Sequence, residues 1–495
     1  MCQIRVPSLA VSDDYRLLIG GEWVEGADGT YPIVNPSTEQ VVGEAPEASS
    51  AQALAATEAA AAAFLDWSRT SASHRAELLA RAADAVRAEV PGLVDLVQAE
   101  TGATMRVAKT MQLPTVADRL DRYARGATEQ LSVPLPPAEM PATALAPGGL
   151  MGAVVERRPV GVVACITPYN FPAVNCAGKV GPALAMGNTV VVKPAPQDPL
   201  AVIRLAEILD GVGFPPGVIN IVTGSGPAVG ETIVASPHTD MISFTGSTGV
   251  GQAIGAVAGG GMKRLLLELG GKGAALVFDD ADLKRVIPQL VSTWAFHSGQ
   301  ICTAPTRVIA HRSIYEPLLA GMAQAAEHLK VGDPLEKDTV VGPVITEAHR
   351  DRVQSMIDAG KDAGASVRAG GDAPDIDTGY YVAPTLLADC APGADAVQQE
   401  FFGPVVVALP FDDEDEAVEL ANSTEFGLYD YVFTGDSGRG MRVGRQLRSG
   451  NVGINTLQRH HEAAFGGMKQ SGVGRDGGSF GLLAYSEPQS IVWPG

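Results

Sequence analysis

Cysteine is scarce. Five in 495 residues, at positions 2, 165, 176, 302 and 390 and with no C-x-x-C pair, exclude a disulfide framework and fit a reducing compartment. No metal is expected. Positive charge is also short: 36 Lys and Arg against 56 Asp and Glu leave −20 with His neutral. That field repels nucleic-acid backbones and anionic membranes, although it allows a local basic pocket for a small anion. Long apolar runs are missing too. None approaches the ~20 residues of a membrane helix, and the opening MCQIRVPSLAVSDDYRL lacks the apolar stretch of a signal peptide. A cytoplasmic protein with neither a nucleic-acid nor a membrane partner is therefore expected. Aromatic residues are only 5%, yet 46% of the chain is hydrophobic and 19% charged, which excludes disordered, collagen-like and coiled-coil chains. At this length one hydrophobic core is too few, so at least two domains are expected.

The pattern along the chain is α/β. Short extended pieces occupy 17–44, and Ser49 and Ser50 cap an Ala-rich helix. Apolar residues at 78, 79, 82, 86 and 90 then repeat at helical spacing. The Pro- and Ala-rich segment 134–149 reads as an excursion or hairpin. From Pro168 onward strands alternate with helices of 10 to 14 residues: TVVVKP, VINIVTGSG and MISFTGSTGVG each run into a turn and a helix. That alternation predicts parallel strands covered on both faces, the doubly wound class, and a second α/β unit follows from 279.

Several residues in this frame carry chemistry. GSGPAVG (224–230) and GSTGVG (246–251) each follow a strand and open a helix, where backbone N–H groups and the helix dipole favour a pyrophosphate. Neither is a G-x-G-x-x-G fingerprint, so an ordinary Gly-rich turn stays open for each. Lys193 ends TVVVKP, at the strand terminus where open α/β sheets bind ligands. Cys302, in HSGQICTAP, sits among small and polar residues that leave its sulfur reachable, and it reads either as a packing group or as a nucleophile. Glu268 stands in the apolar run LLLELGG. It reads either as the partner of a lysine such as Lys179 or Lys272, or as a general base lifted toward neutrality by desolvation. Asn170, between prolines in PYNFP, either caps a turn or donates to an oxyanion.

ITPYNFP, FTGSTGVG, LELGGK, GQICTAPTR, EFFGPV and FGGMKQSGVGR occur in one order and spacing along this chain. In that arrangement the sequence resembles the NAD(P)-dependent aldehyde dehydrogenase superfamily, of the hydrolytic, non-acylating type, over essentially its whole length. The resemblance implies a doubly wound parallel-sheet cofactor domain, a second α/β catalytic domain and a small β oligomerisation element. These map to 1–130 with 151–265, to 266–463, and to 131–150 with 480–495. It implies Cys302 as nucleophile, Glu268 as general base, Asn170 as oxyanion donor and Lys179 as a proton-relay partner. For NAD or NADP it implies contacts from Ile166, Thr167, Pro168 and Tyr169, from Lys193 and Pro196, and from Gly226 and Gly230. Phe244, Thr245, Gly246, Ser247 and Val250, then Leu269 and Gly270, continue that cleft, and Glu400 and Phe402 hold the nicotinamide end. A CoA-acylating relative typically lacks the glutamate of LELGG, and a cofactor-free thiol hydrolase would need His297 to orient Cys302. A homodimer or homotetramer acting on a small aldehyde is implied.

Two departures bear on specificity. Pro196 in KPAP stands where a ribose-binding Glu is usual, which predicts measurable use of NADP. Gly178 stands where a Trp is frequent, and swapping an indole for hydrogen predicts an open apolar tunnel. Medium-chain aliphatic or aromatic aldehydes are therefore expected as substrates. The alternative is a longer ω-carboxy semialdehyde reaching Arg459, His460 or His461 of the entrance loop.

Overall fold

The computed structural model describes residues 14–494. Its first sheet has eight strands in the order Gly472–Val473, Arg264–Glu268, Met241–Thr245, Val162–Ile166, Thr189–Lys193, Ile219–Ile221, Leu17–Ile19, Glu22–Val24. The five from Arg264–Glu268 to Ile219–Ile221 are parallel. They are largely apolar because both faces are covered: Val190 and Val192 enter one core, and Val191, one residue out of phase, enters the other. The chain winds outward from Val162–Ile166 in one direction through 189 and 219, then returns to its other side at 241 and 264. The reversal opens a crevice at the carboxyl ends of Val162–Ile166 and Met241–Thr245, the place where open α/β sheets take ligands.

The second sheet has seven strands, ordered Ser366–Ala369, Thr385–Ala388, Val405–Phe411, Arg307–His311, Ala274–Val277, Tyr429–Phe433, Asn451–Ile454. All are parallel except the Ser366–Ala369 edge. Only Leu269–Gly273 separates the end of one sheet from the start of the other, so LGGKG joins the two units directly. A third, antiparallel sheet pairs Gly149–Pro159 with Val133–Met140 on one side and Ser486–Pro494 on the other.

The boundaries differ from the sequence reading in two places. Residues 151–159, assigned to the cofactor domain, form most of the central strand of the third sheet, and 480–484 belong to a helix, Gly478–Ala484, that precedes its last strand. The first difference arises because the alternation of 150–162 marks a strand without saying which sheet it joins. Residues 105–126 drew no assignment from the sequence. They form a helical segment ending in Leu113–Gly126, which buries Leu113, Val116, Ala117, Leu120 and Tyr123 at helical spacing. Among the described residues no helix is long and apolar enough to cross a membrane.

Candidate active site

Cys302 lies between the helix Leu283–Ala295 and the strand Arg307–His311, on a turn held by unusual backbone. His297 and Ser298 are left-handed (φ 48° and 55°), and the buried His297 donates from Nε2 to Asn170 O at 2.7 Å. Burial drops the His297 pKa to about 4, so its ring is neutral and acts as a strut. That role separates it from a base for Cys302. Asn170 in turn donates from Nδ2 to Gln300 O at 2.9 Å, which aims the amide at the Cys302 turn and leaves its second N–H free. Gly271 allows the close approach of LELGGK: a Cβ there would stand 2.3 Å from Cys302 O.

Cys302 is partly accessible but enclosed by protein. Burial pushes its thiol up to about 12, Glu400 and Glu268 push the same way, and Arg459 opposes them. Glu268 ends its strand with both carboxyl oxygens buried and unpartnered. Burial, with Asp476 behind it, lifts it well above the usual carboxylate range, against Lys179, Arg459 and Arg475. The buried Lys179 donates to Ser243 Oγ at 3.1 Å, and Ser243 shares a hydrogen bond of 2.7 Å with the fully buried Tyr485 OH. Asp476, which the sequence did not single out, is the carboxylate that acts electrostatically on both Lys179 and Glu268.

The proposed cofactor contacts fall along the carboxyl edge of the first sheet. Ile166, Thr167, Pro168 and Tyr169 leave one strand, Lys193 and Pro196 the next, Thr245, Gly246 and Ser247 a third, and Gly270 the strand Arg264–Glu268. The fit to a dinucleotide is concrete. Thr167 Oγ1 is buried without a partner, and the helices Ala228–Ala235 and Thr248–Gly260 have no side-chain cap on their first N–H groups. A Cβ at Gly226, Gly230 or Gly249 would meet nothing within 4 Å, and Val250 is 49% exposed. Phe244 and Leu269 differ from the expectation that they line the cleft. Both are buried, with their side chains against Gly246 and Gly251, so they support the loops from below. At the far end Glu400 accepts from Gly271 N at 2.8 Å and is pushed by burial up to about 7. Phe402 (φ 54°) stands edge-on to Tyr169 at 5.8 Å.

The open tunnel expected at Gly178 is absent. A Cβ on residue 178 would lie 2.0 Å from Arg119 Nη1: the guanidinium fills the space. Arg119 projects from the helix Leu113–Gly126 and donates to Val174 O at 3.0 Å. It acts electrostatically on Arg459, which itself acts on Cys302 and lies 3.7 Å over the Phe465 ring. Neither arginine has an ion-pair partner among the described residues. One guanidinium, Arg459, thus acts on the thiol, and a second, Arg119, acts on the first.

Comparison with known proteins agrees with this arrangement. Residues 23–491 match the aldehyde dehydrogenase family. The chain is 38% identical to 2-hydroxymuconic semialdehyde dehydrogenase of Pseudomonas sp. (strain CF600), over 97% of this chain and 99% of that one. It is 34% identical to betaine aldehyde dehydrogenase of Bacillus subtilis, over 96% of each. Among solved structures, betaine aldehyde dehydrogenase of Staphylococcus aureus in complex with NAD+ superposes with a TM-score of 0.92 at 34% identity, covering 97% of this chain and 95% of that one.

Proposed function

The chain belongs to the aldehyde dehydrogenase family and is an NAD(P)-dependent aldehyde dehydrogenase; from the guanidiniums of Arg119 and Arg459 we propose that its substrate is a semialdehyde, an aldehyde with a carboxylate at its far end, oxidised to the diacid. The observation that carries this reading is the Arg119 guanidinium in the space left by Gly178. Two like charges that act on one another are eased when an anion joins them, and a carboxylate spanning Arg119 and Arg459 would be held with its aldehyde toward the thiol. One of the relatives is itself named for a semialdehyde. We prefer this reading, the alternative the sequence offered, to the medium-chain neutral aldehyde.

In the proposed chemistry the Cys302 thiol gives its proton to solvent water, Sγ bonds to the aldehyde carbon and the carbonyl oxygen becomes an alkoxide. The free Asn170 N–H and the Cys302 main-chain N–H donate to it, each such donor contributing about 3 kcal/mol. Bound NAD(P)+ supplies the hydride acceptor. The resulting thioester on Cys302 is hydrolysed by water whose proton passes to Glu268: the C–S bond breaks, the acid leaves and the thiol reforms. We place the adenosine ribose at Lys193 and the nicotinamide end near Glu400 and Phe402, with copies of the chain pairing through the third sheet.

The test is a series of aldehydes of two to ten carbons with and without a terminal carboxylate, run on wild type, Arg119→Met and Gly178→Ala. The expected result is higher kcat/KM for the acids, with both variants raising KM about tenfold for the acids alone. The alanine acts by expelling the guanidinium. Neutral aldehydes outperforming acids of the same length, in all three proteins, would refute the reading.

A further inference from the structure

Pro196 deprives Lys193 of a carboxylate from its own strand-to-helix connection, yet a carboxylate reaches the same place from another part of the chain. Lys193 Nζ, buried at the end of its strand, donates to Pro194 O (3.2 Å) and Gly224 O (3.3 Å). On the other side of Gly224 stands Glu47: a Cβ on residue 224 would meet its Oε1 at 3.3 Å. Both Glu47 oxygens accept from Ser225 N, at 3.1 and 2.9 Å. They retain lone pairs for further donors.

The position of Glu47 is not accidental to one rotamer, because its backbone is fixed from three sides. Glu47 N donates to Gly29 O and its carbonyl accepts from Asp28 N. Gly26 packs so closely that a Cβ there would lie 2.5 Å from Glu47 N. Pro46 O accepts from Thr223 Oγ1, and Ala48 N donates to Thr223 O. The hairpin Thr30–Val34 and Val41–Pro46 thus delivers its last carboxylate to the loop after Ile219–Ile221. Glu47 also acts electrostatically on Lys193.

We propose that Glu47 determines cofactor specificity: it supplies, from the hairpin, the carboxylate that Pro196 lacks, accepting from the ribose hydroxyls of NAD and repelling the 2′-phosphate of NADP. A dianionic phosphate beside a carboxylate on this loop is repelled, whereas a ribose hydroxyl gains an acceptor. The consequence is a preference for NAD, which Pro196 alone left undecided. The proposal rests on the placement of the adenosine ribose at Lys193 in the preceding section.

Calorimetric titration of the resting enzyme with 5′-AMP and with adenosine 2′,5′-bisphosphate separates the two ideas, since neither probe needs turnover. Glu47→Gln keeps an acceptor for Ser225 N and removes only the charge. It is expected to strengthen bisphosphate binding about tenfold while changing 5′-AMP binding less than threefold, and to narrow the NAD to NADP ratio of kcat/KM accordingly. Glu47→Asp, which retains the charge, is expected to keep the wild-type discrimination. Lys193→Met is expected to weaken both probes. If Glu47→Gln leaves discrimination unchanged while Lys193→Met weakens 5′-AMP, the Glu47 proposal falls and the ribose placement stands. If Lys193→Met leaves 5′-AMP binding intact, the placement itself is wrong.

Discussion

Burial raises both Glu268 and Cys302 toward their protonated forms, and each must give up its proton before it can act. In the proposed chemistry the thiol loses its proton to attack, and Asn170 with the main-chain N–H stabilises the charge that follows. The carboxyl must lose its proton before it can accept one from water. Because burial lifts Glu268 well above the usual carboxylate range, hydrolysis of the thioester rises with pH through that elevated value. Glu268→Gln is expected to keep a first-turnover burst of reduced cofactor, lose steady turnover by about a hundredfold or more, and flatten the pH dependence of what remains. Cys302→Ala is expected to lose the burst itself. Rapid-quench measurement from pH 6 to 9 distinguishes these outcomes; a burst in the Cys302 variant would remove it from the role of nucleophile.

Among the elements, legibility tracks how local each signal is. Thr189–Lys193 reads directly as a strand because it is buried on both faces and its four residues before Lys193 are β-branched. The turns around Asn170, Glu268 and Cys302 are short segments whose residues the structure brings together at the junction of the two sheets. Arg119 and Glu47 were not legible, although the helical period of 113–124 was there to be read. Their meaning comes from Gly178 and Gly224, far away in the chain, and no local pattern records what fills a space.

Glu100 is a third instance of a distant partner, and it makes an element's stability depend on pH. The helix Leu200–Val212 has no side-chain cap from its own N-terminus; instead Glu100, fully buried on the helix Ala72–Thr101, accepts from Leu200 N and Ala201 N, each at 2.9 Å. Burial raises Glu100 to about 8, and the neighbouring buried Asp198 is raised as well. Below about pH 4.5 the carboxyl is protonated folded or unfolded. Between there and pH 8 the folded chain keeps a proton that the unfolded chain releases, so stability falls as pH rises, by about 1.4 kcal/mol per unit for one such group. Apparent Tm is therefore expected to drop from pH 5 to 8, and Glu100→Gln, which cannot ionise, to make that drop shallower. Scanning calorimetry at constant ionic strength checks it; an unchanged slope in the variant would place the pH dependence elsewhere.

At the scale of the whole molecule, the third sheet cannot be explained by one chain alone. Val133–Met140 is exposed along its entire length, and Val133, Leu135, Leu150, Val492 and Trp493 are all between 46% and 57% exposed. Such a surface on a chain carrying −20 calls for a cover, and a second copy brings the same apolar face together with the same repulsion. Association is therefore expected to tighten with added salt, which screens the charge and leaves apolar burial intact. Sedimentation equilibrium is expected to show a dimer or a dimer of dimers, and Val492→Lys to shift it toward the 51.2 kDa chain with unchanged circular dichroism. The chemistry should register the change. Tyr485, directly before the strand Ser486–Pro494, is bonded through Ser243 to Lys179, so a strand freed from its partner loosens the lysine that faces Glu268. The dissociated variant is expected to retain the first-turnover burst and lose steady turnover. A monomeric wild type at micromolar concentration, or a dissociated variant with undiminished kcat, would contradict the connection.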